Sequence, residues 1–256
     1  MRYTSYSDLF KFTIEYINSI FSTSPIPSHD TSHHIRTWLN AKRISDIASQ
    51  KFNSNKLEAL MIACMFHDTG LSITKSERHG HYSTQIFIDF CKLTGYYSEY
   101  NKCICNAISD HDNKNYINRY KKDPFSIYNI LPVADDLDAL GYIGIFRYAE
   151  IYLMRGFCNK DIPKRIISNV NKRWNNLSKI YKDSNLTTLF EEKYQKLISF
   201  YNQTDKGVVY LFINFILKNI DNYKTIEEFT QILVKENNPI LRNIAIKIEK
   251  EIGAFY

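Results

Sequence analysis

Along most of this chain, apolar residues recur three and four positions apart in one segment after another. No strictly alternating run and no Asn-Gly hairpin interrupts them. A chain patterned this way buries its apolar stripes by packing helix on helix, so the sequence predicts an all-α fold. A helix capped by Asp30, Thr31 or Ser32 is expected to bury Ile35, Trp38, Leu39, Ile44, Ile47 and Ala48. The next starts on a capping-box pair, Asn55 and Glu58, buries Leu57, Leu60, Met61 and Cys64, and stops at a left-handed Gly70. A third covers 79–93 through Ile86, Phe87 and Phe90. In a fourth, His111 continues the inward stripe of Tyr100, Ile104, Ala107 and Ile108. A fifth, at 132–140, takes Pro132 in its first turn and sets Asp135 on the face of Leu131. Helical patterns continue at 145–156, 161–182, 186–203, 206–221, 225–236 and 239–253.

The 256 residues are 44% hydrophobic with only 8 Gly and 6 Pro, enough for a sizeable core and too apolar for disorder. Asp8, Lys11 and Glu15 interrupt the N-terminal apolar residues. That segment therefore reads as an amphipathic helix, not a secretion signal or a membrane span of about 20 apolar residues. The Ser/Pro cluster at 22–28 should end it. Five cysteines without a CxxC pair argue against a disulfide framework or a thiolate zinc site, so a reduced, cytoplasmic setting without membrane attachment is expected.

Charge is unevenly placed. Residues 1–150 balance 16 Lys/Arg against 16 Asp/Glu, whereas 151–256 hold 17 against 11, so the whole excess of +6 lies there. Its densest stretch, 155–182, carries eight basic residues against Asp161 alone. Most such runs are solvated helix faces, and this one lacks the interleaved aromatics of a single-strand binder.

His and Asp recur at helix ends and on inward faces of separate helices: His33, His67 with Asp68, His79, His111 and Asp135. Imidazole and carboxylate together suit Mn, Fe, Co, Ni or Zn. Adjacent ligands such as His67 and Asp68 converge on one ion only where a helix is ending. His29, His34 and His81 read as solvated or supporting, Asp136 as outward-facing, and Asp138 as a cap or support.

These residues resemble the HD-domain metal-dependent phosphohydrolases. The run DTSHHIR at 30–36 is similar to the family's DxxHxxR element, ACMFHDTG at 63–70 to its namesake His-Asp motif, and HGHYS at 79–83 to its HxxxS element. ISDH at 108–111 resembles its later histidine, and VADDLDALGYIGIFR at 133–147 the ADxLDAxGxxGIxR closing element. The resemblance spans residues 29–155, about half the chain, and departs from the family at Val133 and Asp112. It implies an HD-domain core at 29–155, preceded by an N-terminal helix and linker at 1–28 and followed by a basic helical extension at 156–256 packed on the core. It also implies one divalent ion on His33, His67, Asp68 and Asp135, with room for a second.

The chemistry implied is cleavage of a phosphoester or phosphoanhydride bond of a nucleotide by metal-activated water. In that reading Asp68, His79 and His111 are catalytic, while Arg36, Arg147, Lys164 and Arg165 join His79 and His111 in holding substrate. Part of 155–182 is expected to close over the metal-bearing helices and bring one or two of Lys160, Lys164, Arg165 and Arg173 to substrate phosphates. The alternatives are an HD-type nuclease acting on single-stranded nucleic acid and a non-catalytic nucleotide sensor.

Overall fold

The structure is a computed structural model that describes residues 5–48, 52–76, 78–113, 123–180 and 185–255. It is all-helical, with twelve α-helices and no strand among the described residues. No helix there is long and apolar enough to cross a membrane. The chain divides into two compact units, Met1–Asp135 and Asp136–Tyr256.

The first unit is built around α3 (Ser54–Phe66), against which α1 (Tyr6–Phe21), α2 (Thr31–Asp46), α4 (His79–Thr94) and α5 (Asn101–Ser109) all pack. Residues 59–66 are apolar on every side and all buried, which makes α3 the central post instead of a one-faced surface helix. Its cap is Asn53, whose side chain accepts the Lys56 N–H at 2.7 Å. The helix thus starts earlier than the Asn55–Glu58 pair suggested, because Asn53 already holds the extended backbone a cap needs. Leu9, Thr13, Ile17 and Phe21 line the buried face of α1 at a spacing of four. Phe66 meets Phe90 at 4.9 Å and Phe87 at 5.4 Å between ring centroids, and each such side chain contributes about 1.5–3 kcal/mol over its exposed state.

Helix α2 departs from its expected apolar face. It buries His33, His34, Arg36, Thr37, Trp38, Asn40, Ala41 and Ile44, leaves Ile35 and Leu39 half-buried, and ends before the exposed Ile47. A helix that carries polar ligands inward turns its polar side to the core, so apolar periodicity points the wrong way there. Helix α6 (Ile127–Asp138) also differs: Pro132 lies in its interior. Buried Ile127, Ile130 and Leu131 extend the helix upstream, at the cost of the one backbone hydrogen bond that Pro132 cannot donate.

The second unit surrounds α7 (Gly141–Met154), which packs against α8 (Ile162–Leu177), α9 (Asn185–Asn202), α10 (Lys206–Asn219) and α12 (Pro239–Gly253). Helix α11 (Ile226–Val234) pairs with α12 and stacks Phe229 on Phe146 at 4.2 Å. The boundary therefore falls at 135, not at 155. Residues 141–153 are buried almost throughout by the helices that follow them, which joins α7 to the C-terminal unit, while the N-terminal helix belongs with the first.

Candidate metal centre

Six of the residues singled out from the sequence, His33, His67, Asp68, His79, His111 and Asp135, are drawn from five places in the first unit. Each is delivered by a helix end or turn. Asp30 caps α2, its Oδ1 accepting the His33 N–H at 3.0 Å and the Ser32 hydroxyl at 2.6 Å, and this orders the turn that carries His33. Helix α3 stops at Phe66. Asp68 leaves helical geometry at φ −106° and ψ 5°, so neighbouring side chains that a continuing helix would splay about 100° apart instead bring His67 Nε2 within 3.2 Å of Asp68 Oδ2. His79 opens α4 and His111 lies in the turn after α5. The Tyr128 hydroxyl, from α6, donates to the carboxylate of Asp110 beside it. Asn40 of α2 donates to the Ala134 carbonyl at 3.3 Å, fixing α6 next to Asp135.

Two glycines let these turns close. A Cβ on Gly70 would stand 2.1 Å from the His79 carbonyl oxygen, and one on Gly80 2.8 Å from that of Ser109. Gly70 is thus needed for close approach and not for a left-handed stop; among the described glycines positive φ occurs at Gly95, Gly141 and Gly156. The Gly70 N–H donates to the buried Ser83 hydroxyl at 2.8 Å, which gives the Ser of HGHYS a structural role.

The polar atoms converge in two buried groups, one of His33, His67, Asp68 and Asp135 and the other of Asp68, His79 and His111. Within each, one ligand atom per residue lies within 4.8 Å of every other. In the first, Asp68 Oδ2 is 3.3 Å from His33 Nε2, and Asp135 Oδ1 is 3.8 Å from both His33 and His67 Nε2. In the second, Asp68 Oδ1 is 2.9 Å from His111 Nε2 and 3.0 Å from His79 Nε2. Asp68 thus serves one group with each oxygen.

The rings are set to offer lone pairs. Nδ1 of His67, His79 and His111 lies 2.7, 2.8 and 2.7 Å from the carbonyl oxygens of Cys64, Ser76 and Ile108. A carbonyl oxygen only accepts, so each Nδ1 carries hydrogen and each neutral ring turns the Nε2 lone pair into the site. His33 Nε2 and His67 Nε2 face each other at 3.2 Å, His79 and His111 at 3.1 Å. For His79 and His111 these are facing lone pairs, and lone pairs beside buried carboxylates demand positive charge.

Protons answer that demand in part. Burial pulls the His67 pKa down, but Asp68 and Asp135 outweigh it and raise it to about 10. Burial likewise lowers His79, whereas Asp68 and then Asp112 raise it to about 9. Asp68 is held well below the usual carboxylate range, burial notwithstanding, by His67, His111 and His33. The same attraction accommodates a metal ion: the buried His/Asp groups have the donor chemistry and spacing to hold one.

The other expected site residues have contacts of their own. Arg36 is only 1% exposed, and its guanidinium donates to the Ser32 hydroxyl at 2.7 Å, which braces the start of α2. In the second unit Arg147 is buried on Asp138 at 3.2 Å. Asp136, expected outside, is buried there too and pairs with Arg173, whose guanidinium is thereby engaged. Lys160, Lys164 and Arg165 are exposed, with Arg165 over the Phe157 ring at 4.3 Å. His81 is exposed as expected, but His34 is buried with its ring 5.1 Å from that of His67. Burial, then His67 and His33, holds its pKa well below the ordinary value, which keeps it neutral.

Two further residues border the cluster. Asp112 Oδ2 lies 3.1 Å from His79 Nε2, and His29 Nε2 lies 3.8 Å from Asp68 Oδ2. Both sit beside a recognised residue in the chain, His111 and Asp30. Comparison with family models, curated proteins and solved structures gives no match to this chain. Geometry and donor chemistry therefore carry the reading of the site.

Proposed function

We propose that this protein is a metal-dependent phosphohydrolase of the HD-domain type, which uses water to cleave a phosphoester or phosphoanhydride bond of a nucleotide. The observation that carries the proposal is Asp68 facing two buried His/Asp groups with its two oxygens. His33, His67, Asp68 and Asp135 would hold a divalent transition metal, Mn, Fe, Co, Ni or Zn; Asp68, His79 and His111 offer a second position. Bound there, such an ion supplies the charge that brings the pKa of water toward neutrality and draws in a phosphoryl oxygen.

The chain's own groups divide the remaining work. Asp68 Oδ1, on the side of His79 and His111, accepts a hydrogen from the attacking water and so aims its oxygen at phosphorus. His79, whose neighbours favour the protonated ring, donates to a phosphate oxygen, and His111, whose Nε2 lies 3.1 Å from that of His79, steadies the same phosphate. The nucleotide part of the reading is supported by the resemblance of 133–147 to the family's closing element. A screen of nucleotides, cyclic dinucleotides and short single-stranded DNA with added Mn, read as released phosphate and product mass, tests it. Metal-dependent turnover of a nucleotide supports the reading; shortened DNA with intact nucleotides replaces it with a nuclease, and binding without turnover with a sensor.

A further inference from the structure

Helix α8 turns two unlike sides to its surroundings. Ile162, Ile166, Val170 and Leu177 are buried and mark out one side. At 3.6 residues per turn the opposite side carries Lys164, Arg165, Ser168, Lys172 and Asn175, all exposed, and exposed Lys179 follows in the turn beyond. Every one of these side chains has an N–H or O–H to donate, and four of them are cations. No Asp or Glu occurs from 162 to 180. Among the described residues Lys164, Arg165, Lys172 and Lys179 form no ion pair, so exposed Glu191 and Glu192 on neighbouring α9 neutralise none of them. Arg173, by contrast, is turned to buried Asp136.

A row of donors without carboxylates is complementary to a row of phosphates. Lys164 and Lys172 stand about 12 Å apart along the helix axis, with the Ser168 hydroxyl between them. Lys, Arg, Ser and Asn are the side chains that contact nucleic-acid phosphates without reading sequence. Arg165 rests on the Phe157 ring at 4.3 Å, which holds its planar fork in place. The other aromatic rings of this region are engaged with each other: Trp174 and Tyr194 lie stacked at 4.7 Å and 11°, and the Tyr194 hydroxyl donates to Asn171 Oδ1 at 2.8 Å. A single strand, which binds by stacking its bases on open aromatic faces, is therefore disfavoured. An anionic membrane is disfavoured too, because it takes up apolar side chains beside the charges, and those of α8 are in the core. We infer that the exposed side of α8 is a docking surface for duplex nucleic acid, DNA or RNA, held through its phosphate backbone without regard to sequence. The inference goes beyond the chemistry of the metal centre and requires neither metal nor turnover.

Fluorescence anisotropy of labelled short duplexes, one DNA and one RNA, titrated with full-length protein at several salt concentrations, tests it. A duplex should bind, and its affinity should fall steeply with salt; a preference between the two forms identifies the polymer. Changing Lys164, Lys172 and Lys179 together to Gln should make the slope of log K against log salt shallower by about three and weaken binding more than tenfold at low salt. Lys172→Gln alone, with a slope shallower by about one, serves if the triple variant fails to fold. Changing the same three residues to Arg, which keeps the charge, should leave binding like the parent's. Lys218→Gln with Lys235→Gln, two exposed lysines of other helices, should also leave it unchanged. Absence of binding to either duplex, unchanged binding in the Gln variants of α8, or an equal loss in the Lys218 and Lys235 variant overturns the assignment. Tighter binding of the matching single strand overturns it as well, and binding confined to phosphatidylserine–phosphatidylcholine vesicles replaces it with a membrane surface.

Discussion

Oδ1 of Asp68 stands 2.9 Å from Nε2 of His111, a residue 43 positions away, while Oδ2 of the same carboxylate faces His33 and His67. One side chain therefore belongs to two groups of donors, and its loss should be felt in both. Protein purified without chelator should contain at least one equivalent of Mn, Fe, Co, Ni or Zn by elemental analysis. Asp68→Ala should lower occupancy of every ion present, whereas Asp135→Ala should weaken only the group shared with His33 and His67. Full occupancy in a variant lacking both His67 and Asp68 would exclude these residues as ligands.

Catalysis should depend on the same carboxylate. Asp68→Ala should reduce turnover on the order of 10³-fold or more, because water that is neither aimed nor activated is almost never hydroxide at neutral pH. Circular dichroism should show the variant still helical. A rate within tenfold of the parent would remove Asp68 from the water-orienting role.

The pKa shifts make metal binding and stability respond to pH in opposite senses. In metal-free protein, His67 is raised from 6.5 to about 10, so its contribution to stability is complete below pH 6.5 and lost as pH rises through about 10. His79, raised to about 9, behaves alike. Asp68 is lowered, so its contribution is complete above 3.8 and lost as pH falls below that. Both kinds are fully present between about pH 4 and 6.5. A metal must displace the histidine protons, so affinity should rise with pH across 6.5 to 10 and binding should release protons into a weakly buffered solution. Melting curves of chelated and loaded protein at pH 6 and pH 9 should show the larger stabilisation by metal at pH 9.

How far the sequence could be read follows from what each residue is asked to do. The helical fold is legible because burial of apolar stripes sets most of the elements, and His67 with Asp68 stood out because adjacent ligands make sense only at a helix end. Helix α2 was misread for the same reason the site works: His33, Thr37 and Asn40 face inward where apolar spacing favoured Ile35 and Leu39. Gly70 carried a real signal, but for contact with the His79 carbonyl and not for its φ. The partnership of Arg173 with Asp136 and of Arg147 with Asp138 is invisible in a count of charges, because pairing depends on how the helices pack.

That pairing makes Arg147 a test of structure against substrate binding. Its guanidinium is buried on a buried carboxylate, and removing one partner of such a pair typically costs about 3–5 kcal/mol. Arg147→Ala should lower Tm markedly in thermal unfolding. Substituting Asp138→Leu as well should cost less than the two single changes added together. A stable Arg147→Ala protein with a raised KM alone would instead return Arg147 to the substrate.

Gly80 offers the sharpest separation of the two donor groups. It follows His79 in the first turn of α4, where the chain runs against the last turn of α5, and an added Cβ would lie 2.8 Å from the Ser109 carbonyl oxygen and 2.9 Å from that of Ile108. Neither neighbour is a flexible side chain, so relief requires the two helices to part. The Ile108 carbonyl also accepts from His111 Nδ1, so parting disturbs the orientation of that ring as well as its 3.1 Å approach to His79. His33, His67 and Asp135 come from other elements and should keep their places. Gly80→Ala should therefore cost about 1–3 kcal/mol of stability, the usual penalty for overpacking. At temperatures where it remains folded, it should retain the metal held with His33 and Asp135 while losing turnover and any second ion. Equal loss from both groups would mean that they form one rigid unit through Asp68, and unchanged turnover would mean that His79 and His111 need not face each other for the reaction.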